Sequence, residues 1–224
     1  MKQVNEQDEG TRGRLLEAAS KLFAEKGYHN ATIAQICAQA GANVAAVNYY
    51  FRHKEDLYVE AFRRAFLLSI EAHPPDGGVG PEAPAQERFH GRILSLMHRV
   101  LDPDNLEFDI VHKEMANPTG LLNEVMHECV EPIRRGFADV VRELLGPHAP
   151  EAQVVLCQAS VEAQCFHHTV PARRSGCSHM KRPHPGMPAD LSVEALAGHL
   201  TRFSLAGIRE VRRRVESGEP GNME

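Results

Sequence analysis

Apolar residues recur along this chain at intervals of three and four positions, which is the spacing of one face of an α-helix. The strict alternation of apolar and polar residues that is typical of half-buried strands does not occur. The first apolar stripe predicts a helix over about residues 11–26, which Gly27 ends because glycine adopts positive φ without strain. The apolar positions of this helix are Leu15, Ala18, Ala19, Leu22 and Phe23.

Three more helices are predicted close behind the first. Thr32 and Gln35 stand three positions apart, the spacing of a capping box, and mark the start of a short second helix. Gly41 ends that helix, and Asn43 is a suitable N-cap for a third short one. A longer helix follows over about residues 54–73.

The rest of the chain is also predicted to be helical, so the expected fold class is all-α. A linker rich in Pro and Gly lies at residues 74–84. Pro132 should kink or break the helix that contains it, and the stretch 171–190 is longer than most loops, which indicates a mobile or functional segment. The further helices are predicted near residues 86–101, 104–116, 120–145, 151–170 and 192–216.

Charge is unevenly distributed over the 224 residues, whose formal net charge is −5. Residues 11–54 contain six Lys and Arg against two Glu, a net of +4, whereas the rest of the chain is acidic. This asymmetry between a basic module and an acidic body is the first indication of function.

Two compartments are excluded by the same survey. The N-terminus lacks the apolar segment of a secretory signal, and no stretch approaches the ~20 apolar residues of a membrane span. The five Cys are scattered and form no CxxC pair. We therefore expect a soluble, cytoplasmic protein without a membrane partner.

Two short helices joined by a Gly-containing turn, residues 32–39 and 43–50, match the geometry of a helix-turn-helix. Such a unit lays its second helix in the major groove of DNA. That helix offers small side chains that can contact thymine methyl groups, and Asn48 can bind an adenine edge or a phosphate. Arg12 and Arg14 lie where an N-terminal arm could reach the DNA. The candidate DNA-binding residues are Thr32, Asn43, Val44, Ala45, Ala46, Asn48, Tyr49, Tyr50 and Lys54. Helical hairpins with a Gly turn also occur in bundles that bind no DNA, and the pattern alone leaves that alternative open.

Residues 11–62 resemble the DNA-binding domain of the TetR family of bacterial transcriptional repressors. The landmarks are, in order, LFAEKGYHNAT, IAQICAQAGANVAAVNYYF and KEDL. The sequence departs from the commonest version at Val47 and Asn48, where a Leu-Tyr pair is usual, and at Ala45, where Gly is usual. Its AAVNYYF form resembles a subgroup with NYHF at this place, a difference that affects which operator is read.

The resemblance implies a homodimer that binds a palindromic operator and is released by a small-molecule effector, with no cofactor and no catalysis. It implies a DNA-binding domain over residues 8–54, a connecting helix over about 54–73, and an effector-binding and dimerisation domain over 85–224. The last two helices would form a four-helix dimer interface. Their apolar contacts would include Leu196, Leu200, Phe203 and Ile208.

The family layout places the effector among the central helices of the C-terminal part. Met and Phe side chains there offer an adaptable apolar lining, and His112 and Glu162 are polar groups for orientation. The candidate pocket residues are Phe108, His112, Met115, Met126, Glu162 and Phe166. Each of them fits an ordinary helical core equally well.

Three other functions remain alternatives. A metal-responsive regulator is one, because His and Cys cluster twice, but neither cluster has the spacing of a zinc site. An enzyme is disfavoured because the nucleophile-elbow, P-loop and dinucleotide-binding patterns are all missing. A helical interaction protein without DNA would leave the polar face of the third helix unexplained. The two clusters are Glu162, Cys165, His167 and His168, and Cys177, His179 and His184.

Overall fold

A computed structural model of the chain describes residues 2–167 and 191–217. Over these residues the chain forms nine helices and no strand, as the periodicity predicts. In chain order they are α1 (Lys2–Asn30), α2 (Ile33–Ala40), α3 (Val44–Phe51), α4 (Lys54–Ala72), α5 (Ala85–Leu101), α6 (Glu107–Ala116), α7 (Asn123–Leu145), α8 (Glu151–His167) and α9 (Val193–Ser217).

The helices pack into two compact units. Unit 1 comprises residues 1–71 and 103–131, and unit 2 comprises residues 72–102 and 132–224. The division by packing is therefore discontinuous along the chain, since α6 packs closely against α1 within unit 1.

Local signals in the sequence fix the ends of the first three helices. Gly27 interrupts α1 with a φ of 75°, so the predicted end of the first helical run is a kink. Thr32 and Gln35 form both hydrogen bonds of the capping box at the start of α2, which satisfies donors that a helix start leaves unpaired. Gly41 ends α2 with a φ of 60°, and Asn43 Oδ1 accepts a hydrogen bond from the amide of Ala46 at 2.9 Å.

A buried carboxylate joins α4 to α6 in unit 1. Glu114 accepts hydrogen bonds from the Tyr58 hydroxyl at 3.0 Å, from the amide and hydroxyl of Thr119, each at 2.8 Å, and from the amide of Gly120 at 3.0 Å. Burial and the neighbouring Glu114 raise the pKa of Tyr58. Because all of these donors bond to the same carboxylate, Glu114 stabilises the α6–α7 loop as well as the contact between α4 and α6.

Unit 2, like unit 1, has an apolar core. Side chains of α5, the C-terminal part of α7, α8 and α9 interdigitate there, and only the Ser204 hydroxyl among the described buried side-chain polar atoms has no hydrogen-bond partner. The core includes Phe89, Ile93, Met97, Phe137, Val141, Leu145, Val154, Val161, Leu196, Leu200 and Ile208.

Several predicted helix bounds need correction. The helix α1 begins near residue 2 rather than 11, because residues 2–9 contain neither Pro nor Gly to interrupt a helix. The helix α6 begins at 107 rather than 104, since Asn105 accepts a hydrogen bond from the amide of Glu107 and forms the turn before it. Of the two outcomes predicted at Pro132, the break does not occur, because α7 runs through this residue, and the kink stays a prediction. The predicted loop 171–190 lies outside the described residues.

Candidate nucleic-acid interface

Helix α3 presents a continuous outward face. Val47 and Phe51, one turn apart, are buried and anchor the helix to the rest of unit 1. The outward face is formed by Val44, Ala45, Asn48 and Tyr49, all exposed, with Val44 at 50% and Tyr49 at 73%. Of the remaining predicted positions on α3, Ala46 and Tyr50 are half-buried, and the ring of Tyr50 packs against those of its two neighbours.

No charged residue occurs between positions 33 and 51. The polar atoms of this segment are amides, hydroxyls and backbone groups, which suit hydrogen bonding to base edges and phosphates. The absence of acidic side chains removes a source of repulsion from a phosphate backbone.

Two predicted site residues use part of their polar groups as helix caps. Thr32 Oγ1 accepts a hydrogen bond from the Gln35 amide at 3.2 Å, and Asn43 Oδ1 accepts one from the Ala46 amide. Their hydroxyl proton and side-chain NH₂ group remain as donors for a ligand. Thr32 and Asn43 therefore cap α2 and α3 and are also exposed at the starts of these helices.

Lys54 is held inside unit 1. Its Nζ donates to the carbonyl oxygen of Tyr28 at 2.6 Å and lies 4.2 Å from the centre of the Tyr28 ring. Burial lowers the pKa of Lys54, while burial and a hydrogen bond to Glu55 raise the pKa of Tyr28 to about 12. Lys54, predicted as a phosphate partner, therefore links the start of α4 to the segment after the Gly27 kink. No local sequence pattern predicts this bond.

Arg12 and Arg14 are likewise engaged within unit 1. Arg12 pairs with Glu60 at 3.2 Å and stacks over the Phe51 ring. Arg14 donates to the carbonyl oxygen of Ala40, the last residue of α2. The expectation of an N-terminal arm that reaches DNA through these side chains is corrected: their guanidinium groups stabilise the packing of α1 against α2, α3 and α4.

Arg52 is a further candidate for the interface, and the sequence analysis does not include it. It follows α3 with a φ of 60°, the one non-glycine residue with positive φ among those described. Its side chain is exposed and has no hydrogen-bond or ion-pair partner within the described part of the chain. The signal in the sequence is a cation directly after the predicted second helix of the helix-turn-helix, since Arg is a common partner of phosphate oxygens.

The six predicted pocket residues fall into both packing units. Phe108 is buried in α6, and His112 and Met126 are half-buried in α6 and α7. Met115 is 74% exposed, which does not fit the lining of an enclosed cavity and corrects that expectation. Two belong to α8 in unit 2: Phe166 is half-buried, and Glu162 accepts a hydrogen bond from Gln158 at 2.8 Å.

Unit 2 contains an open cavity of about 430 Å³ that the sequence analysis did not anticipate. Its lining combines two Arg and two Glu with apolar side chains. None of the six predicted pocket residues lines it. The lining residues are Pro84, Ala85, Gln86, Glu87, Glu143, Leu144, Leu205, Ile208, Arg209 and Arg212.

No group of three or more His, Cys, Asp or Glu side chains suited to a metal ion occurs in the part of the chain that the structure describes. Cys165 is buried, and burial raises its pKa to about 12, which disfavours the thiolate that a metal would bind. The side chain of His167, with His168 and the cluster of Cys177, His179 and His184, lies outside the described residues.

Two family models match the chain. The model of bacterial regulatory proteins of the TetR family matches residues 15–61, which contain the helix-turn-helix. The model of the C-terminal domain of the HTH-type transcriptional dual regulator CecR matches residues 85–208, more than half of the chain. The chain belongs to the TetR family. The resemblance stated from the sequence is confirmed, and this family member is a transcriptional regulator, not an enzyme.

Individual relatives agree with this assignment. The chain is 29% identical over 159 residues to the dual regulator CecR of Shigella flexneri, covering 66% of this chain and 70% of that protein. It is 31% identical over 132 residues to the fatty acid metabolism regulator protein of Bacillus subtilis, covering 59% and 64%.

Solved structures share the fold of this TetR-family chain. The fatty acid degradation regulator FadR of Bacillus halodurans matches with a TM-score of 0.65 at 16% identity, over 89% of this chain and 96% of that one. A transcriptional regulator of Saccharomonospora viridis in complex with choline matches with a TM-score of 0.60 at 22% identity, over 86% of this chain and 94% of that one.

Within the described ranges, no helix is both long enough and apolar enough to cross a membrane.

Proposed function

We propose that this TetR-family regulator binds a palindromic operator as a homodimer, represses transcription there, and is released by a small-molecule effector. The observation that carries the proposal is the uncharged outward face of α3, held by two capped helix starts and two buried anchors. Residues 8–54 would contact DNA and residues 85–224 would bind the effector and the second subunit. Because its ligand is genomic DNA, the protein would act in the cytoplasm.

On the operator, the start of α3 lies in the major groove and the start of α2 meets the backbone. Val44, Ala45, Asn48 and Tyr49 face the bases. The Thr32 hydroxyl, the Asn43 amide and Arg52 supply hydrogen bonds and charge to the phosphates. In this arrangement Lys54 supports the helix-turn-helix through Tyr28.

The second subunit docks on α8 and α9. Val155 and Leu156 on α8 are about half exposed and Phe203 on α9 is 64% exposed, and small residues stand beside them, which permits close helix approach. Of the four apolar contacts expected on α9, only Phe203 is available, because Leu196, Leu200 and Ile208 are buried in the core of unit 2. Exposed apolar side chains on neighbouring helices are typical of an interface.

The effector would act by favouring a dimer with low operator affinity. The open cavity in unit 2 is one candidate site for such a molecule, since charged and apolar side chains both line it. Relatives that are fatty acid regulators and a structural neighbour solved with choline indicate that small organic molecules are the compounds to screen.

The proposal is tested by selecting duplexes from a random library with the full chain and measuring binding to the enriched site by fluorescence anisotropy. We expect one enriched palindromic site bound by two subunits, and screened compounds that lower its affinity. A selection that enriches no sequence would contradict sequence-specific binding. One subunit per site, or affinity unchanged by every compound, would contradict the dimer or the effector release respectively.

A further inference from the structure

The outward face of α3 carries four side chains with a restricted chemistry. Val44 and Ala45 end in methyl groups, Asn48 in a carboxamide, and Tyr49 in a phenol. All four are exposed, and the side chains of Asn48 and Tyr49 make no hydrogen bond within the described residues. The face therefore offers methyl contacts, one bidentate amide and one phenol, and no cation.

Three of the cations near this face form bonds within unit 1. Arg14 binds the end of α2, Lys54 binds Tyr28, and Arg12 pairs with Glu60. Arg52 has no side-chain partner within the described range, but its φ of 60° ends α3, so it does not continue the helical face of Val44 and Asn48, and the proposed function assigns it to a phosphate.

These observations restrict which bases the helix can recognise. Guanine is read chiefly by the bidentate contact of an Arg or Lys side chain with O6 and N7, and the outward face of α3 has neither residue. Adenine is read by the carboxamide of Asn through N6 and N7, and thymine by apolar contact with its C5 methyl group. Both chemistries are present on this face.

We propose that α3 reads A·T base pairs at the centre of each operator half-site, with Asn48 on an adenine and with Val44 and Ala45 on thymine methyl groups. The inference rests on the proposed function, because it assumes that α3 enters the major groove. It goes further in naming the bases and the atoms by which this protein selects its operator.

The experiment uses the full chain and the duplex enriched from the random library. Each thymine is replaced in turn by uracil, which removes the C5 methyl and keeps base pairing, and each guanine by 7-deazaguanine, which removes N7. In a third series each adenine is replaced in turn by another base, with the complementary base in the opposite strand. Binding of every duplex is measured by anisotropy for the unchanged protein and for Asn48→Ala and Val44→Ala. Asn123→Ala, an exposed Asn outside the helix-turn-helix, is the matched control.

We expect uracil at one or two thymines per half-site to weaken binding about fourfold, the value of one buried methyl group. At one of these thymines, replacement by uracil no longer weakens binding when the protein is Val44→Ala. Asn48→Ala weakens binding about tenfold and becomes insensitive to replacement of one adenine by another base. The 7-deazaguanine substitutions within the half-site centre have no effect, and Asn123→Ala binds like the unchanged protein.

Two results would overturn the inference while the proposed function stands: a selected site in which 7-deazaguanine weakens binding and uracil does not, or losses in the two variants that are independent of the base. A selection that yields no site overturns the proposed function together with this inference.

Discussion

Both packing units bury an apolar core, and they differ in what surrounds that core. In unit 1, side chains that determine the site region bond to backbone groups or to each other over long sequence distances, such as Lys54 with Tyr28 and Glu114 with Tyr58. Unit 2 leaves apolar side chains exposed on the neighbouring helices α8 and α9. Directional bonds fix the orientation of α3, which DNA recognition requires, whereas exposed apolar area favours association with another apolar surface.

The largest expected effect separates the buried bonds of unit 1 from its surface pairs. Glu114→Ala should lower the free energy of unfolding by about 3 kcal/mol, because the Tyr58 hydroxyl and the loop amides lose a buried acceptor. Urea denaturation of the full chain measures this change. Glu128→Ala is the control, since its pair with Arg63 is exposed and should cost less than about 1 kcal/mol. Equal losses in both variants would contradict the role given to the buried carboxylate.

The apolar face of unit 2 is tested by charge. Phe203→Glu should weaken the dimer about thirtyfold, because an anchor of an interface contributes about 2 kcal/mol, and operator binding should weaken with it. Sedimentation equilibrium measures the association. Leu67→Glu, at a side chain on α4 that is 53% exposed, should leave the dimer intact. A dimer unaffected by Phe203→Glu would place the interface elsewhere.

Removal of one helix cap in each unit allows the two units to be compared directly. Thr32→Ala in unit 1 and Ser192→Ala in unit 2 each remove a side-chain acceptor from a helix start, and each should cost about 1 kcal/mol of stability. Only Thr32→Ala should also weaken DNA binding, as measured by anisotropy at a temperature where both variants are folded. Equal effects on DNA binding would show that stability, and not the position of the cap, controls recognition.

Salt dependence distinguishes the two cations at the end of α3. Arg52→Met should reduce the slope of log affinity against log salt concentration by about 1.8, the value of one phosphate contact in each of the two subunits. Lys54→Met should lower the urea midpoint and leave the slope unchanged, because its ammonium group is bound to Tyr28. The opposite pattern would restore Lys54 as the phosphate contact expected from the sequence.

The smallest effect concerns the unpaired hydroxyl in unit 2. Ser204→Ala should raise the free energy of unfolding by up to about 1 kcal/mol, because it removes a buried donor that has no partner. Ser95 donates to the carbonyl oxygen of His73, so Ser95→Ala should instead lower stability by about 1 kcal/mol. Denaturation curves that show a loss for both would mean that the Ser204 hydroxyl is paired in solution.

Local features could be predicted from the sequence because their partners are close along the chain. Thr32 and Gln35 lie three residues apart, and Gly41 needs no partner to end a helix. The outward face of α3 follows from the same helical spacing. Lys54 with Tyr28 and Glu114 with Tyr58 are 26 and 56 residues apart, and only tertiary packing brings such pairs together.

The predictions for α9 show a second limit of periodicity. Phe203 lies at the edge of a broad apolar stripe whose other members, Leu196, Leu200 and Ile208, are buried within unit 2. Spacing identifies the stripe but does not divide it between the core of one chain and a surface for another. The cavity in unit 2 escaped prediction for a similar reason, since its lining comes from three separate segments.

The central claim is that the uncharged face of α3 gives this regulator its sequence specificity. The most direct measurement compares, by anisotropy over a salt series, the affinity of the full chain and of Asn48→Ala for the selected duplex and for a scrambled one. The account predicts at least about a thousandfold preference for the selected duplex, which Asn48→Ala reduces about tenfold with the salt slope unchanged. Equal affinity for both duplexes, or a preference that Asn48→Ala leaves intact, would contradict it.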